Sequence, residues 1–371
     1  MFEVRRSRFG VRGAANKRTT NREHEPGTRN AEAGTAGFYN RVVRIVTSAP
    51  TRIDLAGGTL DIWPLYLFHP GAQTINAAIS LRARATVEDR SDTRIVINSE
   101  DTGTTVEADD WRELRDSPEL RLLSLLAHFF EARGLTLTTS CESPAGAGIA
   151  GSSALNVAVC AALADWKRTH YEPEALLQVA MNVEAQAIRV PTGLQDYRPA
   201  LYGGVAAIEL SVDGIRRVPL DVDVSDLERR LVLCYTGKPR NSGTNNWEIT
   251  KKHIDGDRQV FEYFERIRDA ATAMRDAISR NDWDGVGHAI ADEWDTRKRL
   301  APGVSTAAID DLITRARTAG ATAAKVCGAG GGGCLFCYGP PDRREAIADA
   351  LTAGGARLLD FRIERHGLSR G

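Results

Sequence analysis

The stretch Glu142-Ser143-Pro144-Ala145-Gly146-Ala147-Gly148-Ile149-Ala150-Gly151-Ser152-Ser153-Ala154 decides how the rest of the chain is read. A predicted strand, with Leu135 and Leu137, leads into it, and a helix rich in Ala, Val and Leu follows to about Lys167. A glycine-rich turn that opens a helix presents unpaired backbone N–H groups and the positive end of the helix dipole. The missing Cβ atoms let the oxygens of an anion approach closely. The run is an anion cradle by construction. It is neither G-x-x-x-x-G-K-[ST] nor a strand-led G-x-G-x-x-G with an acid at the right distance, so the usual nucleotide motifs do not describe it. The plain alternative is a Gly/Ala turn capped by Ser152; the density of glycines ahead of two hydroxyls weighs against it.

Working outward, a second glycine run, Gly328-Ala329-Gly330-Gly331-Gly332-Gly333, lies between two predicted strands, 322–327 and 334–338. So many glycines cost backbone entropy, which is tolerable where φ must be positive or a ligand comes close. Two separate glycine loops are enough to line one polyphosphate. Carboxylates supply the third signal. Glu184 falls in a predicted helix, about 174–189, beside an apolar face of Leu177, Ala180, Ala187 and Ile188, where a buried acid needs a partner such as a magnesium ion. Asp196 follows in the loop Thr192-Gly193-Leu194-Gln195-Asp196-Tyr197, placed to take a hydroxyl proton. Taken singly, each acid also reads as a solvated helix Glu or a loop-capping Asp.

The 371 residues carry a formal net charge of -1, with 42% hydrophobic and 26% charged content, as in a soluble globular protein of about two domains. No global field draws nucleic acid or anionic membrane, so an anionic substrate must be held by local charge. Six scattered cysteines, with no secretory or membrane-spanning apolar run, point to a reducing cytoplasm. Cys334 and Cys337 form a C-x-x-C within a predicted strand. They point to opposite faces there and read as small buried hydrophobes. Residues 1–40, with eight Lys/Arg and four acids, read as a disordered basic extension outside the fold. Residues 41–215 read as a mixed α+β domain. Residues 216–371 read as a second α+β domain with helices over 258–281, 283–299, 306–319 and 341–353 and a last strand over 356–364.

In this order the segments resemble the GHMP kinases, the superfamily of galactokinase, homoserine kinase, mevalonate kinase and phosphomevalonate kinase, over about 42–365. Pro144 to Ala154 looks like the family's phosphate loop, Lys325 to Gly333 like its C-terminal glycine motif, and Arg52 to Asp61 like its N-terminal substrate motif. The Glu-His pair of galactokinase is absent from that last segment, where Gly58-Thr59 stands instead. Within the superfamily the nearest likeness is to the D-glycero-D-manno-heptose 7-phosphate kinases. It is carried by Ala49-Pro50 through Gly58, Gln195-Asp196 through Gly204, Tyr235 through Ser242, Leu300 through Thr306, and Cys327 through Gly333. Fucokinases come next, and Tyr197 departs from the Gln that many relatives carry.

The resemblance implies a two-domain α+β GHMP kinase fold, its N-terminal half like domain 2 of ribosomal protein S5 and its C-terminal half ferredoxin-like. It implies ATP-dependent phosphorylation of a sugar or sugar-phosphate hydroxyl, first among them the anomeric hydroxyl of a heptose 7-phosphate. The alternatives are a fucokinase- or galactokinase-like activity on an unphosphorylated sugar and a non-catalytic sensor of ATP and sugar. ATP would be held by Pro144, Gly146, Gly148, Ile149, Ala150, Gly151, Ser152, Ser153, Ala154, Gly330 and Gly331, and Mg²⁺ by Ser153 and Glu184. Asp196 would be the base, with Arg52 beside it. Asp61, Gly58, Thr59, Gln195, Arg240 and Gly330 would bind the acceptor, and Lys238 and Arg240 are candidates for a substrate phosphate. A cytoplasmic monomer or homodimer, with no nucleic-acid or membrane partner, completes the expectation.

Overall fold

The computed structural model describes residues 43–239 and 242–371, so the basic extension read over 1–40 and the side chain of Arg240 lie outside the description. Alternating apolar residues build the first hairpin: β1 (Arg44–Ala56) pairs antiparallel with β2 (Gln73–Asp89), from Arg44 opposite Glu88 to Ala56 opposite Ile75. The register shifts between Pro50 and Thr51 and again between Asp54 and Ala56. The first shift suits a proline that has no N–H to give the ladder, and the second bends the strand just ahead of Gly57-Gly58.

β3 (Ile95–Ser99) and β4 (Thr104–Ala108) form the next hairpin, and β5 (Leu135–Cys141) runs between β2 and β3, antiparallel to the first and parallel to the second. The other half of β2 carries β6 (Val205–Ser211), which turns at Asp213-Gly214 into β7 (Gly214–Pro219). One face of this sheet packs on α1 (Arg121–Phe129), α2 (Gly151–Trp166), α3 (Pro173–Ile188) and α4 (Tyr197–Tyr202). Ala85, Val87 and Leu137 of the sheet meet Leu126, Ala158, Leu163 and Leu177 of the helices in that core.

Past α5 (Val224–Arg229) comes β8 (Leu231–Tyr235), then α6 (Ser242–Ile254), α7 (Arg258–Ser279), α8 (Trp283–Arg297) and α9 (Ala307–Thr318). β9 (Ala323–Val326), β10 (Cys334–Tyr338), α10 (Arg344–Ala353) and β11 (Arg357–Leu358) complete a four-stranded antiparallel sheet in the order β11-β8-β10-β9. Its strands alternate as a two-sided sheet must. Cys334 and Phe336 join Ile53, Ile75, Met274 and Ile290 in a core shared with the first sheet, whereas Leu335 and Cys337 join Ile309, Leu312 and Leu351 beneath α9 and α10. The two cysteines of the C-x-x-C therefore sit in different cores. The chain then returns to the first sheet, where β12 (Ser369–Arg370) pairs with Thr47 and Ser48.

One sequence expectation needs correcting, and one helix went unread. The last strand, read over 356–364, is reduced to Arg357–Leu358 with a single bridge from Ile363 to Ile79, because the segment crosses from one sheet to the other. α6 had no sequence signal, since Gly243, Asn245 and Asn246 are poor helix formers and its stability comes from packing. Among the described residues, no helix is long and apolar enough to cross a membrane.

Candidate active site

Between β5 and α2 the chain turns through positive φ at Gly146 and Gly148 and again at Ala150, whose φ of 62° is rare outside glycine. α2 then starts at Gly151 with no side chain capping its first turn, so its leading N–H groups stay available. They open on a cleft of about 480 Å³, lined by Pro144, Gly146, Gly148, Ser152 and Ser153 together with apolar Leu120, Leu122, Ile188 and Val190. Ala150 and Gly151 also line it. Ile149 and Ala154 do not, because both side chains are buried in the cores below. Ile149 instead accepts a backbone hydrogen bond from Arg52 N at 3.0 Å.

The second glycine loop lies directly on the first. Cys334 N donates to Ala147 O at 2.6 Å, and a Cβ on Gly333, at φ +82°, would stand 2.6 Å from that same oxygen. Gly331 N donates to Val304 O at 2.8 Å, and a Cβ on Gly330 would stand 2.5 Å from it, so these two glycines wedge the loop against 304 and do not line the cleft. Gly333→Ala is expected to destabilise the protein by more than ~1 kcal/mol, through strain and collision together. Urea unfolding measures it; an unshifted midpoint would mean that the loops can separate freely. A larger surface hollow of about 640 Å³, around Gln73, Glu209 and Arg275, shares no residue with this cleft.

Four donors converge on the carboxylate of Glu184. Ser152 Oγ donates at 2.8 Å, Ser153 Oγ at 3.2 Å, Asn156 Nδ2 at 3.4 Å and Tyr197 O–H at 2.6 Å. Burial raises the pKa of Glu184, and the hydrogen bonds from Tyr197 and Ser152 only partly offset it. Next to it in the chain from Tyr197, Asp196 Oδ1 takes two bonds from Arg52, from Nη2 at 2.5 Å and Nε at 3.0 Å, while Arg52 Nη1 donates to Gly148 O at 2.9 Å. Burial works against the Arg52 charge, but Asp196 and Asp54 more than compensate and raise its pKa.

Beyond Asp196 lies a polar cavity of about 40 Å³, lined by Arg52, Thr59, Asp61, Gln195, Asp196 and Arg297 among others. Asp61 Oδ2 accepts from Gln195 N at 3.0 Å. Its pKa is pushed up to about 6, by burial first and by the nearby Asp196 charge second. Gly58 has no room for a side chain, since a Cβ there would stand 2.5 Å from Asp54 Oδ2 and 2.6 Å from Arg297 Nη2. Lys238 is exposed and touches the second glycine loop through its backbone, its carbonyl accepting from Gly333 N at 2.8 Å.

Under this cavity sits a buried ion cluster that sequence reading missed. Lys325 Nζ lies 3.0 Å from Glu293 Oε2 and 3.5 Å from Asp54 Oδ2, close ion pairs whose angles do not make hydrogen bonds. Arg297 donates to Glu293 Oε1 through Nη2 at 2.6 Å and Nε at 2.9 Å, and Nη1 reaches Thr59 Oγ1 at 3.2 Å and Gly328 O at 3.0 Å. Burial alone would raise the Asp54 pKa, yet Lys325, Arg297 and Arg52 hold it below the usual carboxylate range. The cluster ties the segment before Asp61 to the second glycine loop.

Two family models match segments that contribute to this site: the GHMP kinases N-terminal domain over residues 120–204 and the GHMP kinases C-terminal domain over 274–357. The chain carries the N-terminal and C-terminal domains of the GHMP kinases. The D-glycero-alpha-D-manno-heptose 7-phosphate kinase of Campylobacter jejuni is 29% identical over 336 residues, 87% of this chain and 98% of that protein. Mevalonate kinase of Thermococcus sibiricus is 25% identical, covering 88% of this chain and 98% of the relative. Two solved structures share the fold. A D-glycero-D-manno-heptose 1-phosphate kinase from Bacteriodes thetaiotaomicron has a TM-score of 0.71 at 24% identity and covers 88% of this chain and 98% of that one. Lactococcus lactis galactokinase has a TM-score of 0.72 at 20% identity, covering 88% and 95%. The chain has the two-domain α+β fold of these kinases and is a phosphotransferase with a hydroxyl acceptor.

Proposed function

We propose that this protein transfers the γ-phosphoryl group of ATP to a hydroxyl of a sugar phosphate, with a heptose 7-phosphate and its anomeric hydroxyl as the leading case. The observation that carries the reading is the position of Asp196, which lines both the large cleft and the small polar cavity and is fixed by Arg52. The likeness to the Campylobacter jejuni heptose 7-phosphate kinase supports the choice of acceptor.

In this reading the backbone N–H groups of 146–151 hold the β- and γ-phosphates, and the apolar wall receives the base. Both Arg52 bonds fall on Asp196 Oδ1, which leaves Oδ2 to take the proton from the acceptor hydroxyl as its oxygen attacks. Arg52 keeps its charge beside the transferring group, and Asp61 and Gln195 line the space for the sugar. Phosphoryl transfer asks a protein mainly for such positioning and charge stabilisation. Residues 41–215 then carry the nucleotide and the base, and 216–371 supply the second glycine loop.

A magnesium ion fits the oxygen donors at the base of the cleft. Glu184 is a buried carboxylate with two serine hydroxyls on it and no cationic partner among the described residues. Among those residues no group of three His, Cys, Asp or Glu is placed to cage a metal, which suits an ion held jointly with phosphates. Bound there, Mg²⁺ would neutralise charge on the β- and γ-phosphates. Ser153 and Glu184 would be its protein ligands, with Tyr197 O–H holding the carboxylate in orientation. Tyr197→Phe is expected to weaken Mn²⁺ binding to the ATP complex by about 10- to 100-fold. Electron paramagnetic resonance reads this directly, and unchanged affinity would remove Tyr197 from any part in orienting the metal ligand.

The acceptor is tested by coupled ADP release with heptose 7-phosphate, fucose, mannose and galactose side by side. Transfer to the heptose phosphate well above the free sugars is expected. Equal or better turnover of fucose or galactose would install the unphosphorylated-sugar reading. Nucleotide binding without ADP formation on any acceptor would make the protein a sensor.

A further inference from the structure

Three residues line both the large cleft and the small cavity: Gly193, Asp196 and Asn246. A hydroxyl that attacks a phosphate must cross the boundary they define. Gly193 brings no side chain to it, and Asp196 is already engaged by Arg52. Asn246 is the remaining side chain there, and nothing in the resemblance or in the reading above uses it.

The geometry of α6 explains how Asn246 is held. Residues 246, 249, 250 and 253 recur at helical spacing and share one face. Ile249 is buried with Leu60, Ile62, Phe264 and Ile267. Thr250 Oγ1 donates to Asn246 O at 2.8 Å, and His253 Nε2 meets His69 Nε2 at 2.8 Å, with His69 Nδ1 bound in turn to Glu265. The face is thus pinned at its later turns and ends at the boundary with an amide. Asn246 Oδ1 is shielded from solvent and has no hydrogen-bond partner among the described residues. An acceptor atom left in this state costs free energy unless a ligand pairs with it.

We propose that Asn246 determines acceptor specificity, its Oδ1 accepting a hydrogen bond from a second hydroxyl of the substrate, adjacent to the one that is phosphorylated. Asp196 Oδ2 and Asn246 Oδ1 then receive neighbouring hydroxyls of one vicinal diol, a pairing that a sugar satisfies and a simple monohydric alcohol does not. The inference rests on the sugar-kinase reading above and deepens it.

The test compares the best acceptor of the panel with its analogue deoxygenated at the carbon next to the reacting hydroxyl, for the wild type, Asn246→Ala and Asn246→Leu, which keeps the branching of the side chain without its polar atoms. For the wild type, kcat/KM is expected to fall by about 10- to 100-fold on the deoxy analogue, the range of one unpaired buried polar group. Both variants are expected to lose that discrimination, with the KM for ATP within about twofold of the wild type. Variants that keep the full discrimination overturn the assignment, as does a wild type indifferent to the missing hydroxyl. A loss of kcat/KM by the same factor on both acceptors would mark Asn246 as merely structural, and the assignment falls then too. If the wild type phosphorylates no sugar at all, the sugar-kinase reading fails and takes this one with it, a result distinct from failure in an active enzyme.

Discussion

Asp196→Asn is expected to lower kcat by ~10²–10⁴ while nucleotide affinity stays within about twofold of the wild type. The substitution preserves volume and leaves an oxygen that Arg52 can still bind, so the geometry around Oδ1 survives. What disappears is a group able to take a proton from the attacking hydroxyl. Arg52 is not stranded, because Asp54 also compensates its charge. Single-turnover kinetics beside binding of a fluorescent ATP analogue separate the two quantities. Unaltered turnover would remove Asp196 from the mechanism, whereas lost nucleotide binding would make it a cleft-shaping residue only.

The second large effect is structural. Lys325→Met is expected to destabilise the protein by about 3–5 kcal/mol, because a buried charge pair broken from one side leaves the other side uncompensated. Lys325, Asp54 and Glu293 are all fully buried, and although Arg297 faces both acids, 2.6 Å from Glu293 and 3.8 Å from Asp54, without Lys325 it is one charge set between two. Removing one acid as well, in Lys325→Met with Glu293→Gln, is expected to recover part of the loss. Urea denaturation followed by circular dichroism measures both. A single variant as stable as the wild type would mean that the cluster relaxes or hydrates when opened.

Much of the candidate site was legible because its chemistry is local. The glycine loop before α2 and the run 328–333 announce themselves by composition, and Glu184 stood out as an acid on an apolar helix face. The glycine turn before α2 fell where the strand-to-helix pattern put it, as did the strand that separates Cys334 from Cys337. What stayed hidden depends on contacts between distant segments. Asp54, Glu293, Arg297 and Lys325 come from β1, α8 and β9, and each alone reads as an ordinary charge. Tyr197 was read as a departure from its relatives, but its bond to Glu184 needs α3 and α4 packed together. Asn246 lay in a stretch too poor in helix formers to be read as a helix at all. Local composition likewise could not tell Gly330 and Gly331, which brace Val304, from glycines that face a ligand.

The contact of Cys334 N with Ala147 O has a consequence for biogenesis. During synthesis the first glycine turn leaves the ribosome nearly two hundred residues before its opposing wall exists. On the proposed function, nucleotide therefore finds no finished pocket on the nascent N-terminal half and has little leverage to stabilise it. The growing chain must rely on its first sheet and helices alone until the last hairpin closes the cradle.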